Sequence, residues 1–257
     1  MPQSVFTKLI IFISLILMCI GIFTRPRFKF LFLRITDDLG MKRVLVAGAT
    51  GLIGSELIKL LLVNPHIGQV VAINRSQFKS HHPKLKHLII SFEELEKIVD
   101  EFYGDSIFCC LGSTIKKTPD LQDYKRVDQD YPIKLAELSQ QCNVSQFHLV
   151  SALGANPQSR QFYLRMKDET EQAIKKIFNN SLHIYQPALL TGNRLEERRF
   201  EKTFIFMMKV LNPFLAGGLK KYRSIKAATV AKAMINQTFK NLNGVHSYPS
   251  NIIKQLA

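Results

Sequence analysis

The sequence predicts an α/β domain built on a doubly wound parallel sheet. Short apolar runs with the length of buried strands alternate along the chain with segments of helical periodicity, which is typical of βαβ units. The first unit joins the strand Val44–Ala47 to the helical segment Ser55–Val63 through a turn that contains Gly48, Gly51 and Gly54. With 257 residues, the chain is long enough to bury the core of one such domain.

The glycine turn has the composition of a phosphate-binding loop. Gly48 lets the chain turn sharply, Gly51 lets a pyrophosphate approach the backbone, and Gly54 lets the helix pack closely against the strand. The backbone N–H groups and the positive end of the helix then point at the phosphate. The flanking strand and helix predict a dinucleotide site, although a tight turn without a ligand has the same local sequence. The Gly-x-x-Gly-x-x-Gly spacing resembles that of short-chain dehydrogenases and reductases.

Five further apolar runs predict the remaining strands, and four amphipathic segments predict further helices. Pro187 cannot donate a hydrogen bond to a neighbouring strand, so the last strand should end or bulge there. The predicted strands are Val70–Ile73, Leu88–Ile90, Ile107–Gly112, Phe147–Val150 and His183–Leu190, and the predicted helices are Phe92–Phe102, Leu121–Gln141, Phe200–Leu211 and Ala227–Phe239.

The second predicted strand is followed by Asn74, Arg75 and Ser76, where NAD sites of this fold carry an acidic residue for the ribose hydroxyls. Arg75 has the charge and the fork-shaped guanidinium that suit a 2′-phosphate, and no acidic residue at this position would repel one. The sequence therefore favours NADP(H) over NAD(H), with a solvated loop arginine as the alternative.

Three residues form a candidate catalytic set. Ser151 follows the fifth strand, Tyr163 comes twelve residues later, and Lys167 comes four residues after the tyrosine. On a helix, Tyr163 and Lys167 would share one face, so the ammonium would lower the pKa of the phenol from its usual value of about 10. The tyrosine could then exchange a proton with a substrate near neutral pH, while Ser151 holds the substrate oxygen. A helical residue pair without a catalytic role has the same spacing.

The composition is strongly basic, with 35 Lys and Arg against 20 Asp and Glu and a formal net charge of +15. This balance suits an anionic cofactor, a membrane surface or a nucleic acid, but no nucleic-acid motif accompanies it, so no nucleic-acid partner is expected.

The four cysteines have neither zinc spacing nor a disulfide framework, which fits a reducing compartment. The histidines near His81 have no carboxylate at ligand spacing, and no metal site is expected.

An uncharged apolar run, Leu9–Phe23, predicts an N-terminal helix that is short for a membrane span but extendable. The basic residues that follow it favour a cytoplasmic domain tethered to the inner face of a membrane by residues 5–24. A cleavable signal peptide is disfavoured, because no alanine precedes Ala47 to form a cleavage site. Alternatively, Met41 leads directly into the first strand, and residues 1–40 could reflect an upstream start. The basic residues after the run are Arg25, Arg27, Lys29 and Arg34.

From Met41 to about Asn241, the chain resembles the atypical short-chain dehydrogenase/reductases of the Tat-interacting protein family, also called CC3. The Cys-Cys-Leu-Gly and Val-Asp-x-Asp-Tyr pieces are unusual among short-chain reductases, so the motifs together are specific. The segments that carry the resemblance are Gly48–Gly54, Phe108–Thr114, Tyr124–Tyr131, Phe147–Ser151, Phe162–Lys167 and Tyr185–Leu190.

The resemblance implies a Rossmann fold that binds NADPH and a catalytic pair formed by Tyr163 and Lys167. In such folds the basic and aromatic region at about 193–222 forms a C-terminal substrate lid, but here it could equally dock on a membrane. This chain has Gln-Pro-Ala where the family often has Arg-Pro-Gly before Leu190, and Ser76 where a second arginine often follows the first. The cofactor contacts that the resemblance implies, together with the first glycine of the turn, are Gly48, Thr50, Gly51, Leu52, Ile53, Gly54, Ser55, Arg75, Ser76, Leu111, Gly112, Tyr163, Lys167, Leu190 and Arg198.

Two functions follow as hypotheses for the domain 41–257. The first is an NADPH-dependent oxidoreductase that transfers hydride to or from a small or lipidic carbonyl or alcohol substrate. The second is an NADPH-binding regulatory or scaffold protein without turnover, because members of the resembled family are also proposed to regulate other proteins. Neither the substrate nor the oligomeric state follows from the sequence.

Overall fold

The computed structural model describes residues 40–257 except 77, 79, 115–117 and 192–216. The predicted N-terminal apolar helix, the predicted helix Phe200–Leu211 and most of the lid region lie outside the described residues, so these features remain predictions. Among the helices that the structure describes, none has both the length and the apolar character needed to cross a membrane.

Seven strands form one parallel sheet in the order β3-β2-β1-β4-β5-β6-β9, and β7 pairs with β8 in a separate two-stranded sheet. The order reverses between β1 and β4, which opens a crevice at the carboxyl ends of these two strands. The predicted doubly wound parallel sheet is confirmed. The strands are β1 (Lys42–Ala47), β2 (Ile67–Asn74), β3 (Leu85–Ile89), β4 (Ser106–Cys109), β5 (Gln146–Val150), β6 (Ser181–Gln186), β7 (Leu190–Thr191), β8 (Ile225–Lys226) and β9 (Gly244–Pro249).

Helices cover both faces of the large sheet. On one face, α1 and α5 pack on side chains such as Val44 and Val70, and α6 adds Ile253 to the same core. On the other face, α3, α4 and the first 3₁₀ helix enclose a second core around Ile107 and Phe147. The helices are α1 (Leu52–Val63), the first 3₁₀ helix (Phe92–Glu101), α2 (Leu121–Lys125), a π-helix (Arg126–Asp130), α3 (Tyr131–Gln141), α4 (Phe162–Ile177), the second 3₁₀ helix (Gly217–Tyr222), α5 (Ala227–Thr238) and α6 (Ser250–Leu256).

Several elements differ from the sequence-based prediction. The segment after β3 is a kinked 3₁₀ helix rather than an α-helix, with non-helical backbone angles at Glu94 and Ile98. The long helix predicted over Leu121–Gln141 is interrupted by the π-helix. The last strand and helix, β9 and α6, were not predicted, because the alternation in β9 is largely polar and its one buried side chain is Tyr248. The sixth strand ends before Pro187, as predicted.

Candidate active site

The glycine turn after β1 is held against the loop that follows β4. Gly48 has a φ angle of +82°, a left-handed conformation that glycine adopts without strain. A Cβ at this position would lie 2.7 Å from the carbonyl oxygen of Cys110, and a Cβ at Gly54 would overlap the carbonyl group of Gly48. The two glycines therefore have the roles predicted for them, a sharp turn and a close helix–strand approach.

The N-terminus of α1 presents backbone N–H groups to the crevice. Gly51 is the N-cap residue, no side chain in the described part of the chain caps the helix, and no acidic residue lies in its first turn. Thr50 and Gly51 are exposed, whereas Ile53 and Gly54 are buried beneath them. An anion at this position would meet N–H groups and the positive end of the helix dipole. The residues present thus fit the pyrophosphate of a dinucleotide.

The carboxyl end of β2 also fits a nucleotide. Asn74 is buried, and its Nδ2 atom has no hydrogen-bond partner in the part of the chain that the structure describes. Arg75 and Ser76 follow it and are exposed. Arg75 forms no ion pair with the described residues, so its guanidinium is available to a ligand.

Tyr163 and Lys167 lie on the same face of α4, one turn apart, as predicted. The Nζ atom of Lys167 is 5.8 Å from the centroid of the Tyr163 ring. The hydroxyl of Tyr163 makes no hydrogen bond to any residue within the described ranges. The lysine is almost completely buried, and its Nζ atom forms an ion pair of 2.9 Å with Oδ1 of Asp128 in the π-helix.

Asp128 connects the candidate catalytic lysine to the loop after β4. Its second oxygen, Oδ2, accepts a 2.6 Å hydrogen bond from the backbone N–H of Ser113. This loop contains Leu111 and Gly112, two of the predicted cofactor contacts. Sequence reasoning identified the Val-Asp-x-Asp-Tyr piece that contains Asp128 only as a family signature. No local pattern in the sequence marks Asp128 as the partner of Lys167, because its burial and its pairing arise from tertiary packing.

The predicted lowering of the tyrosine pKa is not observed. Burial raises the pKa of Tyr163; Lys167 acts to lower it, and the negative charge of Asp128 opposes that effect. For Lys167, burial acts to lower the pKa, but the electrostatic effects of Asp128 and Tyr163 together are larger than the effect of burial. The pKa of Lys167 is therefore raised. The ion pair with Asp128 therefore keeps the lysine charged while it limits the effect of that charge on the phenol.

Ser151 lies at the end of β5, as predicted, but its hydroxyl is not directed to Tyr163. It donates a 2.5 Å hydrogen bond to Oε1 of Glu171, which lies one turn beyond Lys167 on α4. Gln186, at the end of β6, donates to both oxygens of the same carboxylate. Glu171 is buried, so these two donors provide its principal solvation. The structure joins Tyr163 with Lys167, and Ser151 with Glu171, in two neighbouring groups.

The other predicted site residues are only partly placed. Leu190 is half-buried in β7, and Arg198 lies outside the described residues.

Burial raises the pKa of the Cys109 thiol to about 12, in keeping with a core residue rather than a reactive thiol. In the portion that the structure describes, no group of three or more His, Cys, Asp or Glu side chains has the arrangement of a metal site.

Comparison with known proteins agrees with this geometry. The sequence profile of a family described as NAD(P)H-binding matches residues 48–240. The chain belongs to this NAD(P)H-binding family. Protein HTATIP2 of Rattus norvegicus is 30% identical over 210 residues, which cover 79% of this chain and 85% of that protein. This similarity confirms the resemblance to the Tat-interacting protein family.

Further similarities lie in fungal proteins and in solved structures. The mitochondrial protein fmp52 of Emericella nidulans is 28% identical over 211 residues, which cover 79% of this chain and 90% of that one. The Bordetella bronchiseptica enzyme WbmH, solved with NAD⁺, superimposes with a TM-score of 0.62 at 16% identity, covering 84% of this chain and 78% of the enzyme. MoeE5, solved with UDP-glucose and NAD, gives a TM-score of 0.61 at 17% identity, with coverage of 80% and 74%. These structures establish that this NAD(P)H-binding chain has a Rossmann-type fold.

Proposed function

We propose that the protein is an NADPH-dependent oxidoreductase of the short-chain dehydrogenase/reductase type that reduces a carbonyl group. The observation that carries this proposal is the pairing of Tyr163 with Lys167 on one face of α4, with the tyrosine hydroxyl unpaired among the described residues and the lysine held by Asp128. A buried ion pair beside an uncommitted phenol is an arrangement suited to proton transfer.

The raised pKa of Tyr163 favours one direction of reaction. A phenol that stays protonated at neutral pH acts as a general acid, which donates its proton to a substrate oxygen as negative charge develops there. The bound nicotinamide would supply the hydride. Lys167 keeps a positive charge near the phenol and stabilises the phenolate that remains after the transfer. These groups therefore fit reduction of a carbonyl better than oxidation of an alcohol.

Ser151 would orient the substrate only after a change of hydrogen bonding. Its proton is donated to Glu171 in this structure, so its oxygen can accept a hydrogen bond but has no proton to donate to a carbonyl. The hydroxyl must rotate away from Glu171 if Ser151 is to bind the substrate oxygen as predicted. Tyr163 is thus the stronger candidate for the first contact with a carbonyl.

The matched test of the catalytic assignment uses two neighbouring tyrosines. Tyr163→Phe should leave NADPH affinity nearly unchanged and reduce turnover at least about 100-fold, because the general acid is lost. Tyr124 is a suitable control, since it is also buried, and since burial, and then the negative charge of Asp128, raise its pKa as they raise that of Tyr163. Tyr124→Phe should retain most of the turnover.

The measurement is NADPH consumption against a panel of aldehydes and ketones, with cofactor affinity measured in parallel. Unchanged turnover in Tyr163→Phe would exclude the tyrosine as the proton donor. Cofactor binding by the wild-type chain without consumption across the panel would favour the regulatory alternative.

NADPH is proposed as the preferred cofactor because Arg75 is exposed and forms no ion pair with the described residues, and because the strand end carries no carboxylate. Arg75→Ala should weaken NADPH binding roughly 10- to 100-fold, the effect of losing a charge-assisted hydrogen bond, and should leave NADH affinity unchanged. Titration calorimetry with both cofactors measures this difference. Equal loss of affinity for both cofactors would show that Arg75 does not contact the 2′-phosphate.

A further inference from the structure

The two helical layers of the domain carry opposite charge. The layer formed by α1, α5, α6 and the second 3₁₀ helix contains a single acidic residue, Glu56, which is paired with Lys59 at 2.8 Å. The helices of the other layer, from the first 3₁₀ helix through α4, contain twelve acidic residues. The net charge of the chain is therefore unevenly distributed between the two faces of the sheet.

The C-terminal segment 217–257 supplies most of the positive charge on the α1/α5/α6 face. It contains seven Lys and Arg residues and no Asp or Glu. Six of the seven are lysines, and all six side chains are exposed. The basic layer, as this face is named below, is defined by Lys220, Lys221, Arg223, Lys226, Lys232, Lys240 and Lys254.

The members of the basic layer come together through packing of the C-terminal elements. The second 3₁₀ helix and α5 both contact α6, and Asn236 on the outer face of α5 donates a hydrogen bond to the carbonyl of Leu256 in α6. Partial burial, and then repulsion from Arg223, lower the pKa of Lys254, which shows that these two cations are close. Six exposed lysines on a segment that contains no Asp or Glu repel one another, and an anionic partner would relieve this repulsion.

We propose that the basic layer binds the surface of an anionic phospholipid bilayer. A bilayer matches both the extent of the charge, which is spread over three helices, and its composition, since lysines bind lipid phosphates as point charges. Tyr222 and Phe239 are exposed among or beside these lysines, and aromatic side chains favour the headgroup region. Base-reading sites depend chiefly on arginine forks, and only one of the seven cations that define this layer is an arginine.

This orientation leaves the crevice accessible. The helical layers lie on the faces of the sheet, whereas the glycine turn lies at the carboxyl ends of its strands. A domain lying on a bilayer through α5 and α6 would therefore open its cofactor crevice sideways, along the membrane plane. The proposed binding of the basic layer to a bilayer does not depend on the proposed reaction. It also does not require the apolar run Leu9–Phe23, because all the residues that define the basic layer are described by the structure.

The experiment compares two triple variants of the full chain that change the net charge equally. The basic-layer variant is Lys221→Gln, Lys232→Gln and Lys254→Gln, and the control variant is Lys97→Gln, Lys125→Gln and Lys176→Gln, three exposed lysines of the opposite layer. Partition is measured by sedimentation with vesicles of phosphatidylcholine alone and with about one-third phosphatidylserine. Any contribution of the leader is common to all the proteins and cancels in the comparison.

The basic-layer variant should lose roughly 100-fold of the preference for phosphatidylserine, since each lysine near an anionic surface contributes about a fivefold factor. The control variant should lose at most a few-fold. Equal losses in the two variants, or no preference for phosphatidylserine in the wild-type chain, would overturn the proposal.

Two further arms complete the test. The substitutions Lys221→Arg, Lys232→Arg and Lys254→Arg keep the charge and should restore binding, which separates lost charge from a damaged fold. A duplex RNA is added at the same phosphate concentration as the lipid. Displacement of the wild-type chain from the vesicles by this RNA would assign the basic layer to a nucleic acid instead.

Discussion

Buried polar side chains lie on both faces of the sheet around β5 and β6, but one set is charged and the other is neutral. On the α3/α4 face, Lys167 is paired with Asp128, and Glu171 accepts hydrogen bonds from neighbouring donors. On the α1/α5 face, His148 and His183 stack with ring centroids 4.6 Å apart and an interplanar angle of 8°. The charged set is called the ionic cluster below, and the neutral set the histidine ladder.

The histidine ladder is a consequence of strand register. His148 and His183 are partners on adjacent parallel strands, so their rings lie directly beside each other. Nε2 of His148 lies 3.3 Å from the side-chain oxygen of Gln146, and its Nδ1 lies 3.1 Å from the hydroxyl of Tyr185. Nδ1 of His183 lies 3.0 Å from the hydroxyl of Tyr248, and its Nε2 lies 2.9 Å from the hydroxyl of Ser181. Every nitrogen thus has a partner while both rings remain neutral.

The ionic cluster and the histidine ladder differ in whether packing and stability alone can explain them. The ladder lies within the strands, and stacking with neutral hydrogen bonds is sufficient to account for it. The ionic cluster adjoins the strand ends that open on the crevice, and a buried ion pair gives little net stability compared with apolar residues of the same volume. Stability alone therefore explains the ladder, whereas the position and charge of the cluster fit the proposed reaction.

The largest expected effect comes from breaking the ionic cluster at one partner. Asp128→Ala leaves the buried ammonium of Lys167 without its counter-charge, and the free energy of unfolding should fall by about 3–5 kcal/mol. Adding Lys167→Met removes the unpaired charge, so the double variant should be more stable than Asp128→Ala alone. Urea unfolding of the three proteins with the wild type measures the coupling, and strictly additive effects would show that the ion pair does not act as a unit.

A smaller effect distinguishes the histidine ladder by its response to pH. Burial, and then repulsion from His246, lower the pKa of His183 to about 4, against about 6.5 in an unfolded chain. Between pH 4 and pH 6.5, the imidazole of His183 binds a proton in the unfolded chain but not in the folded one. The contribution of neutral His183 to the free energy of unfolding is therefore fully present above pH 6.5 and is lost as the pH falls toward 4. His183 alone should reduce stability by about 2 kcal/mol between pH 7 and pH 5. Burial also lowers the pKa of His148, so protonation of His148 at acid pH should reduce stability in the same way.

The check on this prediction is urea unfolding at the two pH values for His183→Asn and for His81→Asn, which changes an exposed histidine. His183→Asn should lose about 2 kcal/mol less than the wild type between pH 7 and pH 5, and His81→Asn should follow the wild type. Parallel pH profiles for all three proteins would contradict the assignment of the acid response to the ladder.

Local sequence patterns predicted much of the molecule. The glycine turn, the end of the sixth strand at Pro187, and the shared helix face of Tyr163 and Lys167 each depend on residues within a few positions of one another. Such features follow from backbone conformation, proline chemistry and helical periodicity. The last strand was missed because its pattern is mostly polar, and its place at the sheet edge depends on its pairing with β6, about 60 residues earlier in the chain.

The sequence by itself determined the parallel α/β architecture, the turn that fits a pyrophosphate and the Tyr163–Lys167 pair. Only the tertiary structure showed that Asp128 binds that lysine and that Ser151 donates to Glu171, because these contacts join segments 39 and 20 residues apart. It also decided the direction of the tyrosine pKa, since burial and a carboxylate from another helix outweigh a neighbour four residues away. Periodicity is a local property of a chain, whereas burial and electrostatic environment depend on which distant segments pack together.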